Sequence, residues 1–425
     1  MGGTDIRSTI IVGMGMIDTL RSVVRLRALE LDPVVRRLAR AASVADLRRL
    51  ARRRLPRGVF DYIDGAAEDE RSLDRNSSSF SRLGFRPRVL RDVAEVDPST
   101  TVLGRTIPYP LVLSPTGFGR IADSEGELAV ARAAARAAVP FSLSTLATRS
   151  LDEVAAVSDG PKWFQVYVWK DRDMVVEMLE RAARLDYEAI IITVDTAAWG
   201  RRERDIRRGF TLPPQIGLET FVDGARHPSW TLDFLRADPI TFPVIADATA
   251  ASQGGRPGDG GDPITLAEFM DEQFDRSLTW EDLAWFRDHW DGPIVVKGIQ
   301  TVEDAVLAAD HGIDAVALSN HGGRQLDDAP APVELVGPVA DAVGDRIEIY
   351  CDGGVRRGSD VVKAVALGAT AAMTGRSYFY ALGAGGERGV DHVLALFEEG
   401  IRRTMALGGC RTVADIGPDL VEWRS

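Results

Sequence analysis

The sequence predicts an α/β fold of the TIM (β/α)8 barrel type, and three observations support this prediction. Eight short apolar runs indicate buried strands, at 111–114, 141–144, 163–168, 189–194, 294–296, 315–318, 347–350 and 371–373. The segments between them are helical in composition, as at 125–137, 172–185 and 360–366. Polar residues follow the C-terminal ends of these runs. Largely apolar strands that alternate with helices are typical of a covered parallel sheet, and eight repeats indicate a closed barrel.

The composition is that of a globular protein and excludes several classes. Of 425 residues, 45% are hydrophobic and 27% are charged, so the chain can bury a large core. None of the five histidines has metal-site spacing, and we expect no bound metal. Cys351 and Cys410 match no CxxC pattern, which favours a reducing, cytoplasmic location. Because the chain lacks a run of about 18 apolar residues, no transmembrane segment is predicted.

Residues 1–42 are predicted to form a basic helical extension, and residues 43–425 the barrel domain. Residues 1–57 contain thirteen arginines and five acidic residues, although the whole chain has a net charge of −12. Such a helix could lie peripherally on anionic lipid at the inner face of the cell membrane, or stay solvated or packed on a partner. The acidic remainder argues against a nucleic-acid partner, because binding phosphates requires a basic face.

Three further elements are predicted in chain order. Ser43 followed by Asp46 predicts a capped helix over 43–54. Short β-prone pieces around 102–105 predict a hairpin that covers one end of the barrel. Between the fourth and fifth barrel strands lies a long loop, an inserted excursion at 205–278 with little predicted structure, whose Gly- and Asp-rich part at 248–262 we expect to be mobile. Such a connection is usually a lid, a partner-binding excursion or disordered.

The residues that follow the strands are candidate site residues, because the active site of such a barrel lies at the C-terminal ends of its strands. His321 and Arg324 follow the sixth run, and the two glycines between them allow a sharp backbone turn. A base and an anion clamp therefore share this end of the barrel. The loops after the seventh and eighth runs join glycine to arginine, at 353–356 and 375–376, as in phosphate-binding loops. This pattern predicts a phosphorylated cofactor or substrate.

Four motifs carry a family resemblance. They are Phe-Gln-Val-Tyr at 164–167, Val-Lys-Gly-Ile at 296–299, Ser-Asn-His-Gly-Gly-Arg-Gln-Leu-Asp at 319–327 and Asp-Gly-Gly-Val-Arg-Arg-Gly at 352–358. With them, the chain from residue 43 onward resembles the FMN-dependent L-2-hydroxy acid oxidase/dehydrogenase family. Segments 115–118 and 143–148 look most like its respiratory L-lactate dehydrogenase branch. The resemblance implies bound FMN and the oxidation of a lactate-like L-2-hydroxy acid to the 2-oxo acid.

The resemblance also implies a role for each matching residue. The catalytic residues would be the base His321, the carboxylate Asp195 that holds it, and Tyr167 at the α-oxygen of the substrate. His321 and Tyr167 would also bind the substrate, together with Tyr62, Arg202 and Arg324 around its carboxylate. The cofactor would be bound by Lys297, near the N1/O2 edge of the flavin, and by Thr116, Gly117, Ser144, Gln165, Thr193, Ser319, Asp352, Gly354, Arg356, Gly375 and Arg376.

Departures from the family pattern leave the substrate and the electron acceptor open. Residues 197–199 are Ala-Ala-Trp where the family often has Pro-Arg, and Leu146 stands where members with small substrates often have Trp. Gly117 stands where oxidases typically have Ala, which favours a quinone or cytochrome acceptor. The alternative is an oxidase that reduces O2 to H2O2, and a third reading is a non-catalytic flavin-binding interaction module. By resemblance we also expect a homo-oligomer, a tetramer.

Overall fold

Eight parallel strands close into a barrel, which confirms the predicted fold. The computed structural model describes residues 31–207, 218–252 and 273–424. These eight strands follow one another around the barrel in chain order, and the last pairs with the first to close it. Each predicted run overlaps one of these eight strands. The strands are β1 Leu83–Phe85, β2 Thr100–Val102, β3 Arg105–Ile107, β4 Leu111–Thr116, β5 Phe141–Ser144, β6 Lys162–Val166, β7 Ala189–Thr193, β8 Ile294–Ile299, β9 Ala315–Ser319, β10 Glu348–Asp352, β11 Ala371–Thr374 and β12 Val421–Trp423.

Helices alternate with the barrel strands, and the strands are buried along nearly their whole length. The longest of the described helices, Arg376–Gly408, bends at Gly385 and Gly386, where the backbone leaves helical geometry. In the described ranges, no helix is long and apolar enough to cross a bilayer. The helices of these ranges are α1 Pro33–Leu38, α2 Val44–Arg54, α3 Arg57–Asp64, α4 Arg71–Arg82, α5 Glu127–Arg136, α6 Leu151–Val157, α7 Arg172–Arg184, α8 Glu203–Arg207, α9 Leu218–Ala225, α10 Pro228–Arg236, α11 Pro243–Ser252, α12 Asp282–His289, α13 Val302–Asp310, α14 Pro332–Val343, α15 Gly358–Ala366 and α16 Arg376–Gly408.

The chain divides into one unit that ends at Arg40 and another that begins at Ala41. In the described part of the first unit, α1 is capped by Asp32, whose side chain accepts two backbone N–H bonds of the first turn. Most of the extension predicted at 1–42 lies outside the described residues, so it stays a prediction. In the second unit, α2 begins after Ser43, whose hydroxyl accepts the N–H of Asp46 at 3.3 Å, as predicted.

The hairpin predicted around 102–105 closes the N-terminal end of the barrel. Its strands, β2 and β3, pair antiparallel. Val102 and Ile107 pack into a buried core layer that also contains Trp163 of β6. The carboxylate of Glu348, at the start of β10, accepts a backbone N–H from the hairpin turn at 2.9 Å. Because this end is filled, the C-terminal ends of the strands are the open face of the barrel.

The connection between β7 and β8 is helical in its described part. Helices α8 to α11 account for much of it, so the expectation of little structure is wrong there. Helix α11 lies against the barrel helix α7, where Asp247 and Arg181 form an ion pair of 3.0 Å. Of the stretch expected to be mobile, residues 248–252 belong to α11, and the remainder lies outside the described residues. The described part of this connection is therefore anchored on the barrel.

Candidate active site

A cavity at the C-terminal ends of the barrel strands collects most of the predicted site residues. It contains about 960 Å³ of empty space, part of which is open to solvent. Fourteen of the predicted residues line it: Tyr62, Thr116, Gly117, Ser144, Tyr167, Arg202, Lys297, His321, Arg324, Asp352, Gly354, Arg356, Gly375 and Arg376. The other four lie beside lining residues, with Gln165 next to Ser144, Thr193 next to Lys297, Asp195 next to His321 and Ser319 next to Lys297.

His321 lines the cavity and is oriented by Asp195. Its Nδ1 lies 3.0 Å from Oδ1 of Asp195, whose side chain is only 2% exposed. Burial lowers the pKa of His321, although the charge of Asp195 opposes this shift. The carboxylate selects the tautomer that carries its proton on Nδ1, which leaves Nε2 to accept a proton. This arrangement can act as a general base at neutral pH.

Gly298 makes room for the carboxylate that orients the base. It follows Lys297 in the Val-Lys-Gly-Ile motif and has a φ of 109°, which L residues rarely adopt. A Cβ at this position would lie 2.7 Å from Cβ of Asp195. The glycine of the motif is therefore required by the close approach of β8 to Asp195.

Three polar residues around the base had no role predicted from the sequence. Asn320 exchanges two hydrogen bonds of 2.8 Å with the side chain of Asn76 in α4. Gln325 donates to the backbone carbonyl of Asp195 at 2.9 Å. Asp327 accepts two backbone N–H groups at the start of α4. These side chains fix the loop that carries His321 to its neighbours, and their only sequence signal is membership of the nonapeptide motif.

Arg324, Arg202 and Tyr62 form a cationic corner of the cavity. Nη1 of Arg324 donates to the backbone carbonyls of Tyr62 and Gly65, at 2.6 and 3.3 Å. The guanidinium groups of Arg324 and Arg202 lie 4.9 and 6.0 Å from the centre of the Tyr62 ring. Burial and the charge of Arg202 lower the pKa of Arg324, and Asp205 lies 4.0 Å from Arg202. A bound carboxylate would relieve the repulsion between the two cations.

Lys297 carries a positive charge at the bottom of the cavity. Its Nζ lies 2.9 Å from Oδ2 of Asp352 and donates to Oγ of Ser319 at 3.0 Å. Asp352 also accepts from Ser319 at 2.9 Å and from Ser114 at 2.6 Å. Burial disfavours the charge of Lys297, but the carboxylates of Asp352 and Asp195 outweigh burial and raise its pKa. Lys297 is therefore cationic at neutral pH.

Two buried polar atoms on neighbouring strands test whether the site fits the flavin ring of FMN. Within the described residues, Nε2 of Gln165 on β6 and Oγ1 of Thr193 on β7 have no hydrogen-bond partner. Ser144 donates to Oε1 of Gln165 at 2.9 Å, which leaves the amide NH2 of Gln165 as the unpaired end. A buried polar group without a partner costs about 1–3 kcal/mol, so such groups usually mark a ligand or water position. A flavin bound in the cavity beside Ser144 would offer its ring carbonyls to the unpaired amide of Gln165.

The loops after β10 and β11 fit the phosphate of FMN. Gly353 and Gly354 have φ values of 147° and 79°, and a Cβ on Gly354 would collide with the backbone of α4. Gly375 immediately precedes α16, whose first N–H groups have no partner within the helix and favour an anion. Arg356 lines the cavity beside these loops. Glycine turns, a helix N-terminus and a guanidinium together form an anion site.

Arg376, which the resemblance assigns to the phosphate, lines the cavity and also has partners within the protein. Its guanidinium donates at 2.6–3.1 Å to three backbone carbonyls, those of Ile63, Gly65 and Gly322. The side chain therefore braces the C-terminal end of α3 against the loop that carries His321. Tyr378, which the sequence did not indicate, hydrogen-bonds Oγ1 of Thr116 at 2.7 Å.

Tyr167 and Trp199 form an aromatic wall of the cavity. Their ring centroids lie 6.5 Å apart, and Phe274 lies 5.1 Å from each. Trp199, one of the departures from the family pattern, also lies 5.9 Å from the guanidinium of Arg202. Burial raises the pKa of Tyr167, so its phenol stays protonated and can donate a hydrogen bond. The loop at 197–199, which differs from the family pattern, therefore contributes a ring to the cationic corner.

Comparisons with known proteins identify the family. Residues 51–423 match the model of the FMN-dependent dehydrogenases. The chain is 42% identical over 387 residues to an L-lactate dehydrogenase of Caulobacter vibrioides, covering 90% of this chain and 98% of that one. It is 41% identical over 374 residues to glycolate oxidase of Spinacia oleracea, covering 88% and 94%. A solved structure of a monotopic membrane protein, (S)-mandelate dehydrogenase, matches with a TM-score of 0.84 and 38% identity, covering 91% of this chain and 100% of that one. The chain belongs to the FMN-dependent dehydrogenase family.

Proposed function

We propose that the protein oxidises a lactate-like L-2-hydroxy acid to the 2-oxo acid with bound FMN. The observation that carries this proposal is the position of a neutral base, His321, beside the cationic corner made by Arg324 and Arg202. A 2-hydroxy acid carries a carboxylate on the same carbon that bears the hydroxyl to be oxidised. With its carboxylate at the cationic corner, the reacting carbon would lie next to the base.

The carboxylate and the α-oxygen of the substrate would be held by four residues. Arg324 and Arg202 would bind the carboxylate, because a planar guanidinium matches its two oxygens. Tyr62, whose ring lies against both guanidiniums, would add a hydrogen bond. Tyr167, protonated at neutral pH, would donate to the α-oxygen. These contacts would fix the reacting carbon before chemistry begins.

The proton chemistry would be carried by His321 and Asp195. Nε2 of His321 would take a proton from the substrate during oxidation, and the carboxylate of Asp195 would stabilise the imidazolium that forms. Bound FMN supplies the two-electron acceptor. Lys297 contributes a fixed positive charge at the bottom of the cavity. The residues proposed to hold FMN are Thr116, Gly117, Ser144, Gln165, Thr193, Lys297, Ser319, Asp352, Gly354, Arg356, Gly375 and Arg376.

A quinone or cytochrome is the proposed electron acceptor, and the reaction of an oxidase with O2 is the alternative. Gly117 supports a quinone or cytochrome acceptor, because there is no space for a side chain at its position. A Cβ there would lie 2.8 Å from Cβ and 2.9 Å from the carbonyl oxygen of Leu146. The alanine typical of oxidases would therefore require the Leu146 segment to shift. The glycolate oxidase relative keeps the oxidase alternative open.

We also propose a cytoplasmic homo-oligomer that contacts the inner face of the cell membrane peripherally. The membrane contact is supported by the likeness to a monotopic membrane protein. It is also supported by apolar side chains that the connection between β7 and β8 exposes: Ile206 is 61%, Leu232 51% and Leu235 72% exposed. The homo-oligomer, a tetramer, rests on the family resemblance alone.

Anaerobic titration of the purified, FMN-loaded protein tests the proposed reaction. L-Lactate, D-lactate, glycolate and L-mandelate are added separately, and the flavin absorbance is followed. We expect L-lactate to bleach the flavin and D-lactate to leave it oxidised. Flavin that no L-2-hydroxy acid bleaches would favour the non-catalytic binding module. Mixing the reduced protein with O2 or with a soluble quinone then separates the acceptors, and stoichiometric H2O2 at the turnover rate would establish the oxidase alternative.

A further inference from the structure

Three aromatic rings join the connection between β7 and β8 to the cationic corner. Phe242, just before α11, stacks on Phe118 with ring centroids 5.4 Å apart and an angle of 21°. Phe118 in turn meets Tyr62 edge to face, at 5.9 Å and 77°. The ring of Tyr62 lies 4.9 Å from the guanidinium of Arg324. Stacked and edge-to-face pairs are both favoured geometries, so each ring restricts the next.

The middle ring of this series sits on a constrained backbone. Phe118 has a φ of 68°, in the left-handed region that bulky residues rarely adopt. It is 2% exposed, and its N–H donates to the carbonyl of Leu146 at 2.9 Å. A strained conformation of this kind persists only where the surroundings over-determine it, and it is common at ligand-binding sites. Here the surroundings include a ring on either side.

The backbone on both sides of Phe242 is fixed to the rest of the protein. Its carbonyl accepts the first two backbone N–H bonds of α11, at 3.1 and 3.0 Å. Helix α11 is fixed to the barrel by the ion pair of 3.0 Å between Asp247 and Arg181. On the other side of Phe242 in the sequence, the guanidinium of Arg120 donates to the carbonyl of Pro239 at 3.1 Å. The position of the Phe242 ring is therefore fixed by the segments that precede and follow it.

We propose that Phe242 is a positioning residue for the substrate carboxylate. Through Phe118, it holds the side chain of Tyr62 against Arg324, so the connection between β7 and β8 takes part in substrate binding. Phe242 and Phe118 are not among the residues that line the cavity, and they would act without touching the substrate. The inference rests on the proposed role of Tyr62 in binding the carboxylate.

The test compares Phe242→Ala with Phe234→Ala in the FMN-loaded enzyme. Phe234 is a matched control because it also forms a stacked pair in the same connection, with Trp230, at 4.8 Å and 17°. In the part of the chain that the structure describes, no ring contact joins that pair to Tyr62. We expect Phe242→Ala to raise KM for the L-2-hydroxy acid roughly two- to ten-fold, with a smaller change in kcat. Phe234→Ala should leave KM within roughly two-fold of wild type.

Two further measurements separate positioning from a general loss of stability. Phe242→Tyr keeps the stacked ring, so its KM should equal that of wild type. The Kd of the 2-oxo acid product, measured from the flavin absorbance of the oxidised protein, should rise by the same factor as KM in Phe242→Ala. Should Phe242→Ala fail to fold with FMN, Phe242→Leu replaces it, because leucine keeps bulk but cannot stack. The same rise in KM is then expected.

Tyr62→Phe is measured beside these variants so that the two proposals can fail separately. If Tyr62→Phe leaves KM unchanged, the role of Tyr62 in the proposed function is wrong, and the inference about Phe242 falls with it. If Tyr62→Phe raises KM but the Phe242 variants do not, only the inference about Phe242 is wrong. An equal rise in KM for Phe242→Ala and Phe234→Ala would also overturn it.

Discussion

The protonation state of His321 decides whether the candidate site can act as a base. Burial, together with the nearby charges of Lys297 and Arg324, lowers its pKa, and Asp195 works in the opposite direction. An unperturbed histidine has a pKa of about 6.5, so a lowered value keeps the imidazole neutral at neutral pH. Activity that needs the neutral base should therefore fall only when the pH drops below about 6.5.

Replacing Asp195 tests this balance. In Asp195→Asn the charge that raises the pKa of His321 is gone, so the pKa falls further and the acid limb of kcat/KM moves to lower pH. The rate at the plateau should also fall by on the order of 10²-fold or more, because the imidazolium loses its partner. A pH profile of kcat/KM for both proteins measures the two effects. An acid limb that stays in place or moves to higher pH would show that Asp195 does not act on His321.

At the scale of elements, the loop that carries the base depends on a buried amide pair. Asn320 follows β9 and Asn76 lies in α4, and both side chains are about 1% exposed. Two mutual hydrogen bonds of 2.8 Å join them, and Asn320 also accepts the N–H of Gly323 at 3.0 Å. This pair sets where the loop turns, and therefore where His321 stands relative to the cavity.

Asn320→Ala is expected to destabilise the protein by about 1–3 kcal/mol, because it leaves the amide of Asn76 buried without its partner. Asn76→Ala should have a similar effect, and the double variant should be less destabilised than the sum of the two. Denaturant unfolding of the four proteins measures this coupling. Strictly additive effects would mean that the pair does not hold the loop.

The barrel strands were predictable from the sequence, whereas parts of their connections were not. Both faces of each strand are buried, so each strand is a continuous apolar run. Such a run can be recognised in the sequence without knowing which strands pair with it. Helix α11 depends on packing against α7, and a short segment of small residues gives little local signal for such packing. Similarly, Arg376 follows a glycine as a phosphate ligand would, but its three carbonyl partners come from segments far away in the chain. Only the folded chain brings them together.

On the scale of the whole molecule, the barrel gathers the candidate site from distant parts of the chain. Tyr62 precedes the barrel, Asp195 follows β7, Lys297 lies on β8, and His321 and Arg324 follow β9. The hairpin at the N-terminal end leaves the C-terminal face for this cavity. The base and Arg324 follow β9, whereas the glycine loops that fit the phosphate follow β10 and β11. Loss of the base should therefore stop the chemistry without releasing the cofactor.

The most direct test of this separation is anaerobic stopped-flow reduction of the bound flavin by L-lactate, in wild type and in His321→Gln. Both proteins should purify with FMN at equal stoichiometry. The wild-type flavin should be bleached in a single turnover, and the rate in His321→Gln should be lower by roughly 10²–10⁴-fold. Reduction of the variant at the wild-type rate, or a variant that no longer retains FMN, would contradict the assignment of His321 as the base.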